Sequence, residues 1–228
     1  MTGQRTGTGG PAGTVRASYE AFARVVEALD DEQSWLPTDC TGWAVRDLVF
    51  HVVTDAQRAL VALHTPAGAA ADRDAVTYWQ DWGPDPVGAA NGRRYCRVGG
   101  SMFLYFDQLK GLFLETVAAA ADAATATDPG LLVGTQGHVL TAGDLMTTLA
   151  VEATIHHLDM TANLPDAPPP APRGLAAVRT TLDGLLGHPV PVDWDDTGYA
   201  RAATGRRPLT DSERRALGAD AARFPLLC

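Results

Sequence analysis

Lysine is almost absent from this 228-residue chain: Lys110 is the only one, and the remaining positive charge is arginine. Eighteen basic residues face 27 acidic ones, leaving a formal net charge of −9 and a pI near 5.0. That balance argues against nucleic acid or an anionic membrane surface as the main partner. Cysteine is scarce too. Cys40, Cys96 and Cys228 are odd in number, far apart and without a CxxC pair, which fits a reducing compartment better than a disulfide framework. No run approaches the ~18–20 apolar residues of a helical membrane span. The opening MTGQRTGTGGPAG has no apolar signal-peptide core. These absences predict a cytoplasmic protein that handles small molecules, with no nucleic-acid or membrane partner.

A hydrophobic content of 46% and a charged content of 20% are ordinary for a globular chain long enough to bury one core. Residues 1–13 are rich in Gly and Thr and read as a flexible tail. Val15, Tyr19, Phe22, Val25, Val26 and Leu29 recur at helical spacing over 14–31. A second stripe, Val45, Leu48, Val49, Val52, Ala56, Leu60 and Leu63, predicts a helix over 43–64. Residues 65–98 show no period; a loop of that length is usually functional or disordered, and its aromatics and paired arginines suggest a lid or pocket wall. A third helix is expected over 99–126, a short extended pair at 131–133 and 138–140, and a fourth helix over 141–163, capped by Thr141 with Asp144. A proline-rich linker (166–172) leads to a helix over 173–186 and a Thr210–Glu213 capping box opening a short last helix. The expectation is all-α: a four-helix bundle over 14–165 with a helical C-terminal extension over 173–228.

The fourth helix carries the chemistry. Leu145, Leu149, Glu152, His156 and Asp159 recur at steps of three and four, so one face begins apolar and turns acidic and imidazole-bearing. A buried carboxylate costs several kcal/mol unless a positive or hydrogen-bonding group meets it. A divalent metal meets that need, because Glu and His at i and i+4 lie only ~5–6 Å apart. A third ligand must come from elsewhere, and His51, beside the stripe of the second helix, is the candidate; alone it reads first as a core histidine, and Glu152 with His156 turns that reading toward a ligand. Asp55, four residues on, is placed to take its other ring nitrogen. His157 points about a third of a turn from His156, toward a second-shell or pocket-lining place. Asp159 is expected to orient an imidazole or bind substrate, and Arg93 and Arg94 to pair with a carboxylate; a solvated role is open for all three. Trp79 and Trp82 are candidates for the pocket wall. Cys40, with no histidine near it in sequence, reads as buried and inert.

The stretch SWLPTDCTGWAVRDLVFHV beginning at Ser34, with Glu152, His156, Leu158 and Asp159 in a Glu-x-x-x-His-x-Leu-Asp pattern, resembles the mycothiol-dependent maleylpyruvate isomerase metal-binding domain family. That family belongs to the DinB-like four-helix bundles, and the resemblance spans roughly 14–165. The segment TGRRPLT from Thr204 resembles actinobacterial members. The resemblance implies one divalent metal, most often Zn2+, on His51, Glu152 and His156, and mycothiol as cosubstrate. A metal-activated low-molecular-weight thiol would then add to a small electrophile, as S-transferase ahead of cis–trans isomerase. Two other readings are a hydrolase using metal-activated water and a non-catalytic metal-bearing binding or regulatory module. Monomer and homodimer are both compatible with the sequence.

Overall fold

The computed structural model describes residues 9–81 and 86–227, and its helices follow the apolar stripes. In chain order they are α1 (Pro11–Ala28), α2 (Val45–Leu63), α3 (Pro86–Ser101), α4 (Phe106–Ala126), a hairpin of β1 (Leu132–Thr135) and β2 (His138–Thr141), then α5 (Ala142–Met160), α6 (Pro172–Leu186), α7 (Asp196–Ala203) and α8 (Asp211–Leu217). Proline opens both α1 and α6, where its missing N–H satisfies no helical bond in any case. Thr141 Oγ1 accepts the Asp144 amide at 3.0 Å and caps α5. At α8, Thr210 and Glu213 cap each other reciprocally.

α1 and α2 each pack against both α4 and α5, which closes a four-helix bundle. Its core joins Phe22, Val26, Leu48, Val52, Leu109 and Phe113, each large side chain contributing about 1.5–3 kcal/mol by burial. The antiparallel hairpin, with Leu132 opposite Thr141 and Thr135 opposite His138, feeds directly into α5. α5 is buried continuously from Ala153 to Met160, because a second apolar layer covers its outer side. There Val151, Ile155 and Leu158 meet Val178 and Leu182 of α6 and Tyr199 of α7. Over 153–160 the helix has no solvent face to spare, so polar groups there depend on partners inside the protein.

Two expectations are corrected. The period-free stretch 65–98 contains a 3-10 turn (Thr77–Asp81) and most of α3. α3 escapes detection because it is anchored by small residues rather than an apolar stripe. A Cβ on Gly99 would stand 2.1 Å from the Phe50 ring, and one on Gly100 would stand 3.1 Å from the Arg46 carbonyl oxygen. The helix expected over 99–126 is therefore two, broken at 102–105. Arg46, itself 1% exposed, donates from Nε to the Gly100 carbonyl and from Nη2 to the Phe103 carbonyl at that break.

α6 lies on the bundle through a glycine contact. A Cβ at Gly174 would stand 2.2 Å from Thr154 Oγ1 on α5 and 2.6 Å from Ser18 Oγ on α1, two hydroxyls hydrogen-bonded to each other at 3.1 Å. Gly174→Ala should therefore destabilise the protein by about 1–3 kcal/mol, measured by urea unfolding; an unchanged midpoint would show that α6 shifts freely on the bundle.

Candidate metal centre

Two facing helices each present a pair spaced four residues apart: His51 and Asp55 on α2, Glu152 and His156 on α5. His51 Nε2 and His156 Nε2 both point at Glu152 Oε1, at 3.2 and 3.3 Å. The imidazole centroids are 4.7 Å apart and nearly perpendicular. The three donor atoms lie within 4.8 Å of one another. Two imidazoles and a carboxylate aimed at one point are the donor set of a divalent-metal site with an open position, and the residues fit such an ion.

The far side of the His156 imidazole is also held. His156 Nδ1 donates to Asp159 Oδ2 at 3.0 Å, which leaves Nε2 as the donor atom facing the centre. Asp159 is 1% exposed and accepts two further bonds from Arg206, Nε to Oδ1 and Nη2 to Oδ2, both 2.9 Å. The Cys40 thiol donates to the same Oδ2 at 3.1 Å and lies 3.5 Å from His156 Nδ1. Asp55 approaches His51 Nε2 at 3.3 Å, the nitrogen that faces Glu152 and not the opposite one expected for it.

Burial works against charge throughout the cluster, and neighbouring charges overcome it. Burial lowers His51, yet the Asp55 charge and the hydrogen bonds to Cys96 and Glu152 push it up to about 9. Burial likewise opposes a charged His156, while Cys40, Asp159 and Glu152 hold its pKa well above the ordinary value. Against their own burial, Glu152 is held well below the carboxylate range by His156 and His51, and Asp159 by His156 and Arg206. Burial pushes the Cys40 thiol up, more than His156 pulls it down. Without a cation the cluster is an ion-pair network of charged imidazoles on carboxylates.

The centre opens into a cavity of about 370 Å3. Leu145, Leu149, Ile155 and Leu227 make part of its wall apolar, and Trp43, Tyr78 and Trp79 add aromatic surface. Trp79 thus sits where the sequence suggested, whereas Trp82 lies outside the described residues. His157 does not line the cavity. It is turned toward α1, edge-on to Phe22, with Nε2 bonded to the Pro168 carbonyl, because neighbouring helical positions diverge by about 100°. Arg93 and Arg94 are exposed on α3 and line a separate shallow groove with Gly42 and Arg97. Cys40, expected to be inert and away from histidine, joins the His156–Asp159 network. Sequence reasoning missed Arg206 as a site residue; its one signal was the Thr204–Thr210 segment.

The fold and site define an α-helical bundle with a convergent His–Glu–His cluster lining a partly apolar cavity. The sequence profile described as the mycothiol maleylpyruvate isomerase N-terminal domain matches residues 15–161, well over half of the chain, and the protein belongs to that family. Among solved structures, a mycothiol-dependent maleylpyruvate isomerase is 18% identical, with a TM-score of 0.51 over 77% of this chain and 68% of that one. A histidine-to-alanine variant bearing the same enzyme name is also 18% identical, with a TM-score of 0.59 over 86% of this chain and 88% of that one. At that identity the likeness establishes the shared DinB-like fold. No curated protein matches the chain.

Three outcomes test the electrostatics of the centre. His51, raised from 6.5 to about 9, adds stability to cation-free protein that is complete below pH 6.5 and lost as pH rises through about 9. Chelator-treated protein should lose urea resistance across that window. Zinc added at pH 7 should displace about two protons per site, read by calorimetry in buffers of different ionisation enthalpy; no proton release would mean that the imidazoles are already neutral. Arg206→Gln, which leaves Asp159 short of two donors, should weaken zinc binding by roughly 10–100-fold in a chelator competition, with helix content unchanged.

Proposed function

We propose that this protein is a metal-dependent thiol enzyme that adds mycothiol, or a related low-molecular-weight thiol, to a small electrophile, as an S-transferase or a cis–trans isomerase. The observation that carries this reading is the convergence of His51, Glu152 and His156 beneath a partly apolar cavity, in a chain of the mycothiol maleylpyruvate isomerase family. These three residues would hold the ion, with Zn2+ suited to such a set. When bound, a divalent cation supplies positive charge that lowers the pKa of a coordinating thiol.

The chain's own residues do the rest. Asp159 holds the Nδ1 proton of His156 and keeps Nε2 turned to the centre; Arg206 keeps that carboxylate in place from both oxygens. Leu145, Leu149, Ile155 and Leu227 keep part of the cavity apolar, which strengthens charge interactions there. In the addition itself, sulfur forms a bond to one carbon of an activated double bond, and the π pair moves onto the neighbouring carbon. The proton lost by the thiol goes to that carbon in a retained adduct, or back to sulfur when the thiol leaves. If the adduct is retained, the product is an S-conjugate; if the carbon–sulfur bond breaks again after rotation about the former double bond, the product is the geometric isomer. Asp55, with Arg58 at 3.4 Å, borders the cavity beside His51 and supplies polar contact to what enters. Arg93 and Arg94, in their separate groove, have no part in this reading.

Protein purified without chelator should carry about one zinc per chain, and His156→Ala should lose it. The loaded protein should consume mycothiol with activated alkenes or maleyl compounds, and the variant should not. A full metal site with no thiol consumed across such a panel would defeat the enzyme reading and favour a binding module.

A further inference from the structure

One part of the cavity wall carries hydrogen-bonding groups without charge. It is built by the 3-10 turn, through Tyr78 and Trp79, and by the hairpin tip, through Thr135 and Gln136. Gln136 has a φ of +50° and Gly137 one of +85°, the two successive positive values of a type I′ hairpin turn. Such a turn favours Asn or Gly at its first position, and a longer side chain is strained there. What glutamine adds is reach. Its Nε2 donates to the Tyr78 hydroxyl at 2.8 Å, and asparagine would fall one methylene short. Strain held at a cavity edge by a side chain aimed at another lining residue is the pattern of a binding position. The neighbouring groups fit that role: Trp79 is 9% exposed, and its indole N–H is buried without an acceptor among the described residues. The two guanidinium groups of the cavity lining are engaged elsewhere, Arg58 with Asp55 and Arg206 with Asp159.

We infer that Gln136, Tyr78, Thr135 and Trp79 form a specificity subsite for the neutral, hydroxyl-rich end of the thiol whose sulfur is directed to the metal centre. The inference rests on reading this cavity as the thiol site. A neutral wall of amide, phenol, hydroxyl and indole pairs well with sugar hydroxyls and poorly with carboxylates, which would be desolvated there without a free cation.

The test compares two thiols on zinc-loaded protein by calorimetry: mycothiol, and N-acetylcysteine, which presents an acylated cysteine without sugars. Wild type should bind mycothiol at least about tenfold more tightly, the worth of one or two neutral hydrogen bonds. Gln136→Gly and Gln136→Asn should unfold at the same temperature as wild type or higher and keep their zinc, yet lose most of that preference. Tyr78→Phe should lose part of it. If the Gln136 and Tyr78 variants keep the wild-type preference, the subsite is wrong while the thiol reading stands. Lower stability in Gln136→Gly would show that the glutamine serves the turn, which also overturns the subsite. If wild type binds neither thiol, the thiol reading fails and takes the subsite with it.

Discussion

A carboxylate that is 1% exposed survives in this core because donors surround it, and Asp159 is the point on which the site depends. Its two oxygens receive His156, Cys40 and two bonds from Arg206. Its backbone carbonyl accepts the Asp39 amide at 3.1 Å. One residue thereby joins the turn before α2, the end of α5 and the loop after α7. Removing any single donor would leave the others around an under-satisfied charge, which is worse than having no buried charge at all. This accounts for how an imidazole on a largely buried helix is held at a fixed angle at the edge of the cavity.

The bundle and the donor triangle were legible in the sequence because both depend on spacing along a helix. Stripes at three and four residues located α1, α2 and α5, and the same spacing set Glu152 beside His156. His51 needed the family resemblance, since nothing local says which helix faces which. What was not legible depends on contacts between distant segments. Arg206 meets Asp159 across 47 residues, and Cys40 reaches it across 119; neither distance leaves a mark in composition or period. α3 was missed for a different reason: helices anchored by glycine against a ring and a carbonyl have no apolar stripe to read. Arg93 and Arg94 looked functional because they lay in the unpatterned stretch; that stretch does wall the cavity, through Tyr78, Trp79, Tyr95 and Cys96, but the two arginines face the other side of α3.

The family assignment and the geometry support each other at different levels. Residues 15–161 cover the bundle and all three donors, whereas Thr204, Arg206 and Leu227 of the cavity wall come from beyond that range. The shared fold accounts for where the triangle sits. The pocket above it is finished by parts of the chain that the domain match does not include.

The enclosure of α5 also bears on when the centre matures as the chain is made. The donor triangle can close once residue 156 has emerged and α5 has docked on α2. Its bracing cannot, because Arg206 follows 50 residues later and Thr204 with it. In the interval Asp159 is without its guanidinium, and the outer side of α5 still awaits α6. His156 then rests on an Asp159 that lacks two of its donors, and the bracing is complete only as the C-terminal helices close over the bundle. Maturation of the centre is in this way tied to completion of the fold.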